Sequence, residues 1–163
     1  MMIGISISTL TLIHVVLSLI GIGSGLVVMA GLLTRRRLDG WTVIFLITTA
    51  ATSLTGFLFP FQKLLPSHKV GIVSLVVLAV AFLARYAFHL AGGWRKTYVV
   101  SAAIALYLNV LVAVVQAFEK APALKKLAPT QSEPPFVVTQ IIVMVAFFVL
   151  SIAASIKFRD KIA

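Results

Sequence analysis

The sequence has no cysteine and only four acidic residues among its 163. The first absence excludes disulfides, thiol catalysis and cysteine-held metals or clusters in this chain. The second is sharpened by position. Asp39, Glu119, Glu133 and Asp160 all stand in breaks or at the ends of apolar runs. No carboxylate therefore lies inside an apolar run, which argues against a proton relay, a di-iron bundle or a glycosidase-type carboxylate pair. No G-x-S-x-G, H-E-x-x-H or Walker pattern occurs. No enzyme chemistry, cofactor or metal is expected from these residues.

Apolar residues are what the chain has in abundance. They make up 61% of it, against 11% charged, and the mean hydropathy is +1.12. A soluble domain of this length needs more polar surface. Five runs approach the roughly 20 helical residues that cross a bilayer core of about 30 Å: about 9–33, 41–60, 70–91, 97–118 and 135–157. Unpaired backbone is not tolerated in lipid and five spans cannot close a barrel. The expected fold is an all-α integral membrane protein, one bundle of five transmembrane helices forming a single domain over 1–163. The end signals fit: Asp39 as cap of the second helix, Ser67 after Pro66 for the third, Gly92-Gly93 as the stop of the third, and Ser132 or Glu133 ahead of Pro134-Pro135 for the fifth. The first run lacks a basic leader and is followed by Arg35-Arg36-Arg37, so it reads as a retained span.

The net charge of +10 does not point to nucleic acid, because the basic residues flank apolar runs where anionic lipid accounts for them. Arg35, Arg36, Arg37, Arg95, Lys96, Lys157, Arg159 and Lys161 fall on one side of the expected topology. Lys63, Lys69, Lys120, Lys125 and Lys126 fall on the other. The excess, and all the loop arginines, mark the first side as cytoplasmic. The expected placement is a bacterial inner membrane with the N-terminus outside and the C-terminus in the cytoplasm.

One basic residue sits within an apolar run: Arg85, in AVAFLARYAFHLAGGWRK (79–96). With no carboxylate inside a span to meet it, its expected partner is backbone, a lipid headgroup or a bound anion, its long stem reaching toward the phosphates. His89, four residues on, is expected on the same helix face. Together they form a candidate anion or headgroup site. His14 and His68 share the other side; a packed His14 and a solvated loop His68 are expected rather than a haem or metal site.

The second candidate site is a polar patch in the outer half. On the second span Thr48, Thr52 and Thr55 share one face, with Thr49, Ser53 and Gly56 on the next. Asn109 and Gln116 share a face of the fourth span, and Thr139 and Gln140 open the fifth. Thr48, Thr52, Thr55, Asn109, Gln116 and Gln140 are the candidate ligand residues; interhelical hydrogen-bond glue is the plainer use of the same groups. Gly21 and Gly25, one small-xxx-small pair, are expected at a close helix contact, within the bundle or to another subunit. The loop at 119–135, rich in proline and of mixed charge, is expected to be extended.

The expected role is binding or transport of a small solute or ion through the polar patch. The alternatives are an accessory subunit of a larger membrane complex and a haem- or quinone-associated redox protein. The expected partners are the bilayer and either a homo-oligomer or a larger membrane protein. A cytoplasm-dependent reporter fused after Ala163 is expected to be active, and one fused after Lys126 silent; the opposite pattern overturns the orientation.

Overall fold

The computed structural model describes residues 6–60 and 66–158. Lys63, Arg159, Asp160 and Lys161, which entered the charge argument, lie outside the described residues. Within the described residues every regular element is helical: α1 (Ile7–Leu33), α2 (Asp39–Gly56), α3 (Pro66–Phe82) continuing into a π-turn at Leu83–Ala87, α4 (Trp94–Lys120), a short α5 (Pro122–Leu127) and α6 (Pro134–Lys157). Among the described residues four stretches are long and apolar enough to cross a membrane: Ile7–Leu33, Pro66–Ala87, Trp94–Lys120 and Pro134–Lys157. The chain is an integral membrane protein by that criterion. α2, with 18 residues and a row of hydroxyls, is not among the four.

α4 lies at the centre, in contact with α1, α2, α3, α5 and α6. Its buried Ala102, Ala103 and Ala105 let the neighbouring helices close on it. Lipid is as apolar as leucine, so the bundle is held by close packing more than by expulsion of water. α1 makes its most extensive contact with α2 and also closes on α4. A Cβ on Gly25 would stand 2.6 Å from Leu106 Cδ1 and 2.9 Å from the Phe45 ring. Gly21 and Gly25 therefore serve contacts inside this chain. Gly23, between them in sequence, has no heavy atom within 4 Å of the same point.

The core occupies one half of the bundle. Val28, Met29 and Leu32 of α1 meet Phe45 and Leu46 of α2, Leu78 and Ala81 of α3, and Tyr98, Ala102 and Leu106 of α4. All of these lie toward the end where α1 stops and α2 starts, which carries Arg35–Arg37 and is called here the arginine end. α6 buries only Ala154 and presents Ile142, Phe148 and Ile156 outward, as a lipid-facing helix does.

Several expected ends differ. α1 closes in a Schellman turn: Arg35 adopts φ 59° and the Arg36 N–H bonds Gly31 O at 2.8 Å. α2 is capped by Leu38 with no side-chain bond. Asp39 is its first helical residue, and its carboxylate is engaged elsewhere. Ser67 lies within the first turn of α3. The third span stops at Ala87 rather than 91, because the π-turn takes up an extra residue and His89 and Leu90 then adopt φ 47° and 59°. The fourth begins at Trp94 rather than 97. The 119–135 loop is not extended throughout. Pro122 starts α5, and Gln131 Nε2 donates to Val115 O at 3.1 Å, folding the loop back on α4. Glu133 is the N-cap residue of α6 without a side-chain capping bond. Desolvation works to raise its pKa, but the Thr130 hydroxyl and nearby backbone N–H groups donate to the carboxylate and hold it below the ordinary value.

Gly25→Ala is expected to cost roughly 1–3 kcal/mol through overpacking against Leu106 and Phe45. Gly23→Ala should be neutral or stabilise by up to about 1 kcal/mol, since alanine is the better helix former. Thermal unfolding in one detergent measures both, and equal effects would remove the close-packing account.

Candidate functional site

Away from the core the helices diverge. Between α1, α2, α3 and α4, at the end opposite the arginines, they leave a cleft of about 580 Å³. α1 supplies His14 and Ser18, α2 supplies Thr49, Thr52 and Ser53, α3 supplies His68 and Ser74, and α4 supplies Asn109 and Gln116. Apolar wall lies between these groups, from Val15, Leu19, Leu108 and Val112. Glu119 and Lys120, at the end of α4, border the mouth.

Most polar atoms here are already engaged. Ser18 Oγ donates to Asn109 Oδ1 at 2.8 Å, tying α1 to α4. Ser53 Oγ donates to Ser74 Oγ at 3.1 Å, tying α2 to α3. His14 Nδ1 and Thr55 Oγ1 are 2.9 Å apart, and the His14 ring stands edge-on to Phe59 with centroids 5.5 Å apart. The α2 hydroxyls largely satisfy themselves: Thr48 donates to Ile44 O, Thr52 to Thr48 O and Thr55 to Thr52 O. Thr49 differs. It is 1% exposed, and its hydroxyl has no hydrogen-bond partner among the described residues.

Of the six candidate ligand residues, Thr52, Asn109 and Gln116 border the cleft. Thr55 stands behind it, holding His14. Thr48 bonds backbone, and the cleft face of α2 is instead that of Thr49, Thr52, Ser53 and Gly56. Gln140 does not reach the cleft; its Nε2 donates to Leu111 O at 3.3 Å, joining α6 to α4. His68 is not a solvated loop residue. It sits in the first turn of α3, 4% exposed, its ring tilted on Phe57 with centroids 5.5 Å apart. His14 and His68 thus share one cleft, and among the described residues no cluster of three His, Cys, Asp or Glu side chains is placed to hold a metal. Sequence reasoning missed Ser18 and Ser74 as members of the site, and placed Thr49 on the polar patch without counting it among the ligand residues. Ser18 was readable, because it follows His14 by four residues and so shares its helix face.

At the arginine end the expectation for Arg85 is corrected. It is 6% exposed and is ion-paired with Asp39. The tight α1–α2 turn brings the first residue of α2 against the end of α3, within reach of the arginine stem. Arg37 Nε lies 3.9 Å from the same carboxylate. The guanidinium also faces the rings of Tyr98 and Tyr86, 5.3 and 5.7 Å from their centroids. His89 does not share the Arg85 face. Ser74, Leu78, Ala81 and Arg85 keep α-helical spacing on the buried side, but after the π-turn Leu90 takes the next buried place and His89 is turned outward. Arg37, Asp39, Arg85 and His89 still border one shallow groove of about 380 Å³.

No known protein family, curated protein or solved structure matches this chain.

Asp39→Asn is expected to destabilise the bundle by leaving a buried guanidinium without its charge partner. The loss should be less than the roughly 3–5 kcal/mol of a fully buried pair, because the Asp39 side chain is 69% exposed and its charge is screened. The double variant Asp39→Asn/Arg85→Met should recover most of that loss. A double variant no more stable than Asp39→Asn alone would show that the pair does not govern this end.

Proposed function

We propose that this chain is a binding protein for a small solute, with the cleft between α1, α2, α3 and α4 as its binding site. The supporting observation is the cleft itself, about 580 Å³ bounded by four helices and running from Lys120 down to Asn109. Volumes of this order hold a drug-sized ligand, and a mostly apolar wall with a few fixed polar groups is the usual character of such sites. Packing glue alone has no need of an open space beside the hydrogen bonds.

The reading includes five spans, with α2 as the fifth. Its buried Phe45 and Leu46 and its long contact with α1 favour a helix that runs with the others. It also includes the orientation argued from charge. In a bacterial inner membrane the arginine end faces the cytoplasm and the cleft opens outward. The core at the arginine end closes the far side, so transport would need this core to rearrange, whereas binding would not. The accessory-subunit reading draws on α6, whose surface is almost wholly unburied within the chain. Lipid covers such a face equally well.

The absence of cysteine makes any introduced thiol a unique reporter. Thr52→Cys, in the cleft, is expected to react with a charged, membrane-impermeant methanethiosulfonate added outside intact cells. Ala102→Cys, in the core, should stay unlabelled. An unreactive Thr52→Cys in folded protein would refute an outward-open cleft.

A further inference from the structure

The cleft changes character along its length, and on the binding reading above that change selects a class of ligand. α1, α2, α3 and α4 contact one another in a ring, the core seals the end toward the arginines, and Lys120 borders the mouth. From Asn109 to Lys120 the α4 wall runs about 16 Å at the rise of an α-helix. Inside, the polar atoms are largely spent on one another: Ser18 on Asn109, Ser53 on Ser74 and Thr52 on the Thr48 carbonyl. The Thr49 hydroxyl has no partner among the described residues, but it is sealed off by packing. What stays open is hydrocarbon, from Val15, Leu19, Leu108 and Val112, and Val15 and Leu19 remain exposed. The body of a ligand here is therefore apolar. A space of about 580 Å³ is of drug size, room for a single chain.

The mouth is of the opposite kind, and it is basic. Glu119 and Lys120 both border it, but they are not equally open to a ligand. Glu119 Oε2 has the Gln116 amide at 3.5 Å, whereas Lys120 has no ion-pair partner among the described residues. Lys69 stands in the first turn of α3 and Lys125 and Lys126 on α5, at the same end. The other acid of this end, Glu133, is engaged by Thr130. Among the described residues this end thus carries four lysines against two acids, a balance that draws an anion. A charge carried down between the apolar walls would lose its water with no opposite charge to meet it, so the charged group of a ligand stays at the mouth. Amphiphiles in a leaflet have this same order, head at the level of the helix ends and hydrocarbon below. We infer that the cleft takes an anionic amphiphile with one hydrocarbon chain, of the fatty-acid class. Its carboxylate lies beside Lys120, and its chain runs along the α1 and α4 walls toward Asn109.

The test uses the full chain with Thr52→Cys in zwitterionic nanodiscs and three probes of one chain length: decanoate, 1-decanol and decyltrimethylammonium. The rate at which a membrane-impermeant methanethiosulfonate labels the thiol reads occupancy of the cleft. Decanoate is expected to slow labelling saturably and at the lowest concentration of the three. Labelling of Ser132→Cys, on the loop before α6, should keep its usual rate. Adding Lys120→Gln should weaken decanoate roughly two- to fivefold, the size of an exposed ion-pair contribution, and leave 1-decanol unchanged. Equal protection by all three probes, strongest protection by decyltrimethylammonium, or decanoate protection indifferent to Lys120→Gln would each overturn the anionic head. A thiol that labels readily and that no probe protects overturns the ligand assignment while the cleft stands as an open site. A thiol that never labels in folded protein removes the cleft reading and the ligand with it.

Discussion

At Gly21 and Gly25 the backbone of α1 meets Phe45, Leu106, Thr49 and Asn109 with no side chain of its own in between. The rest of the arrangement depends on that approach. In lipid there is little solvent-driven force to gather helices, so the distance at which their backbones can touch sets how strongly they associate. Gly25 lets α1 close on the apolar pair from α2 and α4, and the core grows from there toward the arginines. One turn earlier, Gly21 lets α1 close on a polar pair, and there the core ends. A single helix face thus marks the boundary between a sealed half and an open half.

The two halves use polar groups differently. At the arginine end one buried guanidinium is neutralised by one carboxylate and framed by two aromatic rings, an arrangement that fixes how α2, α3 and α4 meet. In the open half the groups are neutral or sit near the mouth, and side-chain bonds join the helices pairwise: α1 to α4 through Ser18 and Asn109, α1 to α2 through His14 and Thr55, and α2 to α3 through Ser53 and Ser74. Such bonds contribute about 0.6–2 kcal/mol each in membranes. They hold the walls of the cleft without filling it.

Helix existence was legible in the sequence because long apolar runs have few alternatives in lipid. The polar residues of α2 and α4 were legible as a patch for the same reason. Their individual roles were not. Thr52 and Thr49 look alike in sequence, yet only the former finds a backbone carbonyl, because local back-bonding depends on rotamer and neighbouring helix. Asp39 reads as a cap, since acids ahead of helices usually are. Its pairing with Arg85 depends on the α1–α2 turn, a contact 46 residues apart in the chain. His68 reads as a loop residue because the apolar run of the third span begins only at Val70, whereas α3 starts at Pro66, ahead of it. The His68 ring packs on Phe57, the residue just past the end of α2.

The π-turn at Leu83–Ala87 is the last turn of the third span. Residues up to Arg85 follow the α-helical repeat on the buried side, and the next buried residue, Leu90, stands in the turn beyond the helix with φ 59°. A helical wheel drawn on to residue 91 therefore carries the repeat past the point where the backbone abandons it, and puts His89 on a face that it does not occupy.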